Sequence, residues 1–228
     1  MKIHIGIKME TISKNLTILN HPVISHNLAI IRDKNSSCEI FKNALKRITY
    51  ALIFEATKNL HTTKKEVETP LTKTVCDVFD NESQLIIAPI LRAGMIFCEI
   101  AQEMLPFANV HHIGMYRDEE TLEPVWYYDK RKEIKKDKSK VQVILLDPML
   151  ATGNSAIDAI KNFISKGVLE ENIVFMSLIS SPVGIEKVAK TFPKVQIITA
   201  HLDDSLNSKG YILPGLGDAG DRIYNTID

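Results

Sequence analysis

VQVILLDPMLATGNSAIDAI, residues 141–160, contains the change of rhythm that decides the fold. Its first six residues are almost wholly apolar, the pattern of a strand buried on both faces. Asp147 ends the run. A short loop follows with Thr152, Gly153, Asn154 and Ser155, and then Ala156, Ile157, Ile160, Phe163 and Ile164 recur at helical spacing. The spacing predicts a helix over 154–166. Strand, loop and helix N-terminus together set backbone N–H groups and two hydroxyls around one point, the parts of a phosphate site. Asp147, at the strand end, is placed to accept hydrogen bonds from sugar hydroxyls. The G-x-x-x-x-G-K-[ST] pattern is absent, so this is not a Walker A loop. On these residues alone a plainer reading stays open, with Gly153 making the turn and Ser155 capping the helix.

The same alternation runs outward from this stretch. LIIAPI (85–90) reads as a buried strand followed by a helix from about Ala93. VHHIGMY (110–116), NIVFMSLIS (172–180) and VQIITA (195–200) read as strands, and 184–190 reads as a helix. Strands alternating with helices predict an α/β fold with a central, mostly parallel sheet flanked by helices. Such sheets bind ligands at the carboxyl ends of their strands. Upstream, Ser36 and Glu39 offer a capping box for one long amphipathic helix ending near Leu60. Residues 1–20 read as an N-terminal extension in which KIHIGI forms a short strand. Residues 21–228 read as one domain. Within it, 117–140 is polar and charged around Trp126, Tyr127 and Tyr128, as in a β-arm, and 203–228 shows no clear final helix.

Composition narrows the function. Lys+Arg and Asp+Glu number 28 each among 228 residues, so no net charge favours nucleic acid or an anionic membrane as partner. Hydrophobic residues are 45%, enough for a large core, and zero net charge leaves self-association open. Cys38, Cys76 and Cys98 are odd in number and show no C-x-x-C spacing, which suits a reducing cytoplasm rather than a disulfide framework or a zinc site. No apolar run approaches membrane-spanning length, and the N-terminus lacks the apolar core of a signal peptide.

Arg92 follows the strand of PILRAG (89–94), and Arg117 follows that of MYRDEETLEPVWYY (115–128). Both therefore fall where strand ends converge, and guanidinium forks suit phosphate oxygens; a solvated surface charge is the alternative for each. GYILPGLGDAGDR (210–222) matches G-x-G-x-x-G, yet only eight residues follow Gly220. A dinucleotide fingerprint needs a βαβ unit around it, so that reading fails. His111-His112 point to opposite faces if extended and cannot share a metal. Seven basic residues lie among the eleven of Lys130–Lys140, but Glu133 and Asp137 interrupt them, as in a solvated arm.

DPMLATGNS (147–155), PILRAG, YRDEETLEPV (116–125) and GYILPGLGDAGD together resemble the uracil phosphoribosyltransferases, a branch of the type I phosphoribosyltransferase family. The resemblance covers the chain from about His21 to Asp228. It implies the type I phosphoribosyltransferase fold with a flexible β-arm and a C-terminal base-binding segment. It implies transfer from 5-phosphoribosyl 1-diphosphate (PRPP) to uracil, giving UMP. It assigns PRPP to Arg92, Arg117, Asp147, Pro148, Met149, Leu150, Ala151, Thr152, Gly153, Asn154, Ser155 and Asp218, and uracil to Ile212, Gly217, Asp218 and Ala219. Asp147, Arg92, Arg117 and Asp218 carry the catalytic roles. Mg²⁺ enters mainly bound to PRPP, with no protein metal cage. A homo-oligomer, dimer or tetramer, and GTP as an allosteric effector belong to the same implication, although no motif here locates a GTP site.

One residue departs from the family pattern. Asn154 stands where a second glycine is usual, and glycine permits positive φ and close phosphate approach. Asn tolerates the left-handed region best among the other residues, so the loop is expected to form with an added side chain. Two other readings follow from the resemblance: an RNA-binding regulator on the same fold, and a binding module silenced by Asn154.

Overall fold

The computed structural model describes residues 14–118, 121, 123–129, 134 and 137–226. In chain order its elements begin with β1 (Leu16–Ile18), α1 (Pro22–Arg32) and α2 (Cys38–Thr57). A hairpin, β2 (Thr62–Glu68) and β3 (Lys73–Phe79), comes next. Then follow β4 (Gln84–Leu91), α3 (Met95–Met104), β5 (Asn109–Val110), β6 (Ile113–Arg117) and β7 (Pro124–Asp129). The phosphate-loop unit is β8 (Val141–Leu146), β9 (Met149–Leu150) and α4 (Asn154–Ile164). The chain closes with β10 (Ile173–Ser180), α5 (Pro182–Thr191), β11 (Gln196–Leu202), β12 (Ser205–Leu206), β13 (Ile212–Leu213) and α6 (Ala219–Tyr224).

The main sheet runs β1-β11-β10-β8-β4-β6-β7, with β5 on β4 and β9 on β10. Every pair in it is parallel except β6 with β7. Side chains alternate between two cores, as strand geometry requires. Leu85, Ile87, Ile144, Leu146, Met176 and Leu178 face α1, α2, α3 and α6. Ile86, Ala88, Val143, Leu145, Phe175 and Ile197 face α4 and α5. The mostly parallel α/β architecture expected from the alternation is present, with the loops after β4, β8, β10 and β11 at one end.

Local details differ from expectation. Ser37, not Ser36, caps α2 by accepting from the Ile40 N–H, because the Ser36 hydroxyl donates instead to the Ile30 carbonyl 2.7 Å away. That helix stops at Thr57 rather than Leu60. The 110–116 run is two strands, since His111 and His112 interrupt it. His111 is buried, with its ring stacked 6.3 Å from Phe163. A six-residue helix, α6, ends the described chain, where Asp218 caps the first turn. Leu16–Ile18, in the stretch read as an extension, pairs with β11 at the sheet edge; KIHIGI lies outside the described residues. Within 117–140, β7 joins the main sheet; most of the basic run 130–140 lies outside the described residues.

The β2–β3 hairpin carried no signal in the sequence. Its strands are largely exposed, with Val67, Cys76 and Val78 half-buried, so no strong period-2 hydrophobicity shows. Cross-strand ion pairs Lys64–Asp77 at 2.8 Å and Lys73–Glu66 at 2.9 Å join its two strands instead.

Candidate active site

The phosphate loop is tied down by main-chain bonds. Asp147 N–H donates to Met176 O at 3.2 Å. Pro148 O accepts from Leu178 and Ile179, and Leu150 O accepts from Ser181 N–H at 2.9 Å. Ser181 Oγ adds a bond to Ala151 O at 2.6 Å, while capping α5 through Gly184 N–H. Gly184 lies directly under the loop: a Cβ there would sit 2.5 Å from Ala151 O. Gly153 takes the left-handed conformation, φ 81°, and opens α4 without a side-chain cap. The first-turn N–H groups of a helix lack intrahelical partners. Here they face the space above the loop, where the helix dipole favours an anion.

Opposite stands the C-terminal loop. The β12–β13 pair and a cis Leu213–Pro214 peptide lead into Gly215, φ 61°, and Gly217, φ 84°. A side chain at Gly215 would overlap the Ile212 carbonyl oxygen. Asp218 Oδ1 accepts from Asp221 N–H at 3.0 Å and caps α6. Between the two loops lies a cleft of about 230 Å³. Asp147, 149–153, Ser155 and Ala156 line one wall, and Ile212 and 217–220 line the other. Ala93, Phe175, Gly210 and Tyr211 complete it. Of these, Gly210 and Tyr211 stood inside the quoted C-terminal motif; Phe175 gave no signal beyond its place in a strand. A larger cavity of about 460 Å³ lies at the amino ends of β4 and β8, near His61, Phe79 and Phe107. None of the expected site residues lines it, and the carboxyl ends of the strands are where such sheets bind ligands.

Three expected residues, Pro148, Arg92 and Asn154, stand off the cleft lining. Pro148 is buried behind the loop. Arg92 is 62% exposed and reaches α6, with Nη2 3.4 Å from Asp221 Oδ1 and its guanidinium 5.9 Å from the Tyr224 ring. Such an exposed pair is worth under about 1 kcal/mol, a weak hold on a side chain one residue from the cleft. The Arg117 backbone ends β6, while its side chain lies outside what is described. Asn154 overturns an expectation. The left-handed residue is Gly153, and Asn154 is the first residue of α4. Its amide points away from the cleft, donating to Glu123 at 3.2 Å and accepting from Lys187.

Asp147 has a strong electrostatic signature. It remains partly accessible, but its apolar surroundings push its carboxyl up to about 7, against the opposing bond from Met149 N–H at 3.2 Å. A carboxyl raised by burial, in a cleft between two loops, is a candidate functional group.

Comparison with known proteins agrees with this geometry. The family model for uracil phosphoribosyltransferase matches residues 18–226. A uracil phosphoribosyltransferase of Dictyoglomus thermophilum is 48% identical over 92% of this chain and 98% of its own length. One from Clostridium botulinum is 45% identical over 91% of this chain and 97% of its own. The solved structure of AQ2163 protein from Aquifex aeolicus superposes with a TM-score of 0.82 at 36% identity, covering 92% of this chain and 97% of that one. An adenine phosphoribosyl transferase from Trypanosoma brucei, TM-score 0.52 at 12% identity over 82% of this chain and 84% of that one, shares the fold. With both loops of the cleft inside the matched region, the chain belongs to the uracil phosphoribosyltransferase family.

Proposed function

We propose that the protein transfers the phosphoribosyl group of PRPP to N1 of uracil, forming UMP and diphosphate in pyrimidine salvage. One observation carries this reading. Two loops about 60 residues apart, one suited to a phosphate and one to a base edge, face each other across a single cleft. The C1′–oxygen bond breaks with its electron pair leaving on diphosphate, while uracil N1 bonds to C1′ and gives up its proton. Residues 152–155 and the α4 N-terminus hold the 5′-phosphate. Asp147 orients the ribose hydroxyls. Arg92 and Arg117 take the diphosphate, where charge builds as the bond breaks. Backbone groups of Ile212, Gly217 and Ala219 match the O2, N3–H and O4 edge, and Asp218 stands between base and sugar.

Mg²⁺ is the cofactor we expect, carried in by PRPP; when bound it would offset the charge of the leaving diphosphate. Asp147 and Asp218 would offer it hard oxygen donors, which suit that ion. Among the described residues no three His, Cys, Asp or Glu side chains gather as a metal site.

We also read the protein as a cytoplasmic homo-oligomer, dimer or tetramer, with GTP as a candidate effector. Three free thiols favour a reducing compartment, and no helix among the described residues is long and apolar enough to cross a membrane. The test of the activity is diphosphate release from PRPP and Mg²⁺ with uracil, cytosine, adenine, guanine or hypoxanthine in parallel. Uracil alone should react. A different reactive base overturns the reading of the C-terminal loop, and PRPP binding without any turnover supports a silenced module.

A further inference from the structure

The base loop is held from below by three consecutive residues at the carboxyl end of α1, none of which lines the cleft. Arg32 is the centre of this arrangement. Its guanidinium forks onto Asp203, with Nη1 3.0 Å from Oδ2 and Nη2 2.5 Å from Oδ1. The Asp203 side chain is 1% exposed, so its charge is withdrawn from water and is met by that fork, with His201 Nε2 also 3.5 Å from Oδ1. Both side chains then meet on one glycine. Asp203 Oδ2 accepts from Gly215 N–H at 2.8 Å, and Arg32 Nη1 donates to Gly215 O at 2.8 Å. One ion pair therefore grips both polar groups of the residue midway between Ile212 and Gly217.

Arg222 supplies a second fastening to the same place. It donates to Ile31 O, to Leu216 O at 2.8 Å and to Asp33 O at 2.7 Å, and its guanidinium lies 4.4 Å over the Phe41 ring. Ile31, Arg32 and Asp33 thus each bind the C-terminal segment. The phosphate loop has other supports: its bonds run to β10 and to the start of α5, and none of those named above comes from α1.

We propose that Arg32 and Asp203 are positioning residues for the nucleobase, an ion pair that sets where Ile212 and residues 217–219 stand. They govern base affinity and base choice, and reach the phosphoribosyl side of the site only through Asp218. This rests on the assignment of the C-terminal loop to uracil. Charge-assisted hydrogen bonds are short and directional, so the fork fixes the Gly215 peptides more tightly than neutral contacts would. Displacing a bound reactant by about 1 Å can cost about a hundredfold in rate.

The test compares substrates. Arg32→Lys keeps the charge and removes the fork. The double change Arg32→Met, Asp203→Leu removes both charges together, which proteins often tolerate without loss of stability. Circular dichroism and thermal melts establish that each is folded, and wild-type turnover with uracil first secures the reaction itself. We expect KM for uracil to rise about tenfold or more in the double variant, KM for PRPP to stay within about twofold, and discrimination against cytosine to fall. Arg32→Lys should show a smaller shift of the same kind. The proposal is overturned if both KM values rise by one factor, or if uracil KM and base choice stay at wild-type levels. Titration with PRPP and with UMP gives the same comparison without turnover. If wild type fails to use uracil, the assignment of function fails. Titration then decides the positioning role alone: unchanged UMP affinity overturns it, and loss of UMP but not PRPP affinity upholds it.

Discussion

The two walls of the cleft are built on different principles. The phosphate loop borrows rigidity from the sheet: neutral main-chain bonds to β10, one serine cap, and a glycine beneath it. The base loop has a two-residue strand pair of its own and is held by Arg32, reaching out from α1, and by Arg222, reaching back to the end of α1. The contrast suits their tasks. Phosphate is recognised by N–H groups that any strand–loop–helix turn presents. A pyrimidine edge needs particular peptides held in particular directions, and distant side chains can hold them without entering the site.

The sharpest way to break the contrast is to disturb one wall only. Gly184→Val puts a branched side chain where Cβ alone lies 2.5 Å from Ala151 O and 2.8 Å from Leu150 O. Overpacking of this kind costs about 1–3 kcal/mol or more. We expect PRPP affinity, read by calorimetric titration, to fall about a hundredfold while any folded protein keeps its UMP-base contacts. Arg32→Ala attacks the other wall and strands the Asp203 charge. It should lower the unfolding free energy by about 3 kcal/mol in urea, far more than the double Met/Leu change.

Asp147→Asn probes the cleft floor. Between pH 4 and 7 the unfolded state releases the Asp147 proton while the folded state, with its carboxyl near 7, retains it. The Asp147 contribution to stability therefore falls as pH rises through that window and levels off above it. The Asn variant should lose this slope and be more stable at pH 8 by about 2 kcal/mol, checked by denaturation across pH. Activity should drop in the same variant, because the amide cannot replace a carboxylate at the ribose. The smallest effect belongs to Asn154→Gly. Its two exposed hydrogen bonds, to Glu123 and Lys187, lie outside the cleft. Stability should change by less than about 1 kcal/mol, and turnover by less than about threefold. A large gain in turnover would instead mark Asn154 as a lesion.

How much of this was legible follows from sequence distance. The strand, Asp147, the glycine turn and the helix are contiguous in 141–160, so periodicity and local chemistry display them together. The C-terminal motif was equally plain as a string, and its glycines at 215 and 217 do take positive φ. Its arginine supports were not legible. Arg32 meets Asp203 across 171 residues and Gly215 across 183, and an arginine at the end of an amphipathic helix looks like any solvated charge. Arg92 was read from its place after a strand, but its contacts with Asp221 and Tyr224 depend on α6, a helix too short to show a period. The β2–β3 hairpin failed for the opposite reason: with its strands largely exposed, it has no strong hydrophobic alternation to read.

The wide separation of Arg32 from its partners also sets an order of events during synthesis. Asp203 leaves the ribosome 171 residues after Arg32, roughly 10–35 s later at about 5–20 residues per second. The serine that braces the phosphate loop follows Ala151 by only 30 residues, a matter of a few seconds. A nascent chain therefore completes its grip on phosphate well before it can shape a seat for the base. For that interval α1 carries an arginine whose counter-charge has not yet been made.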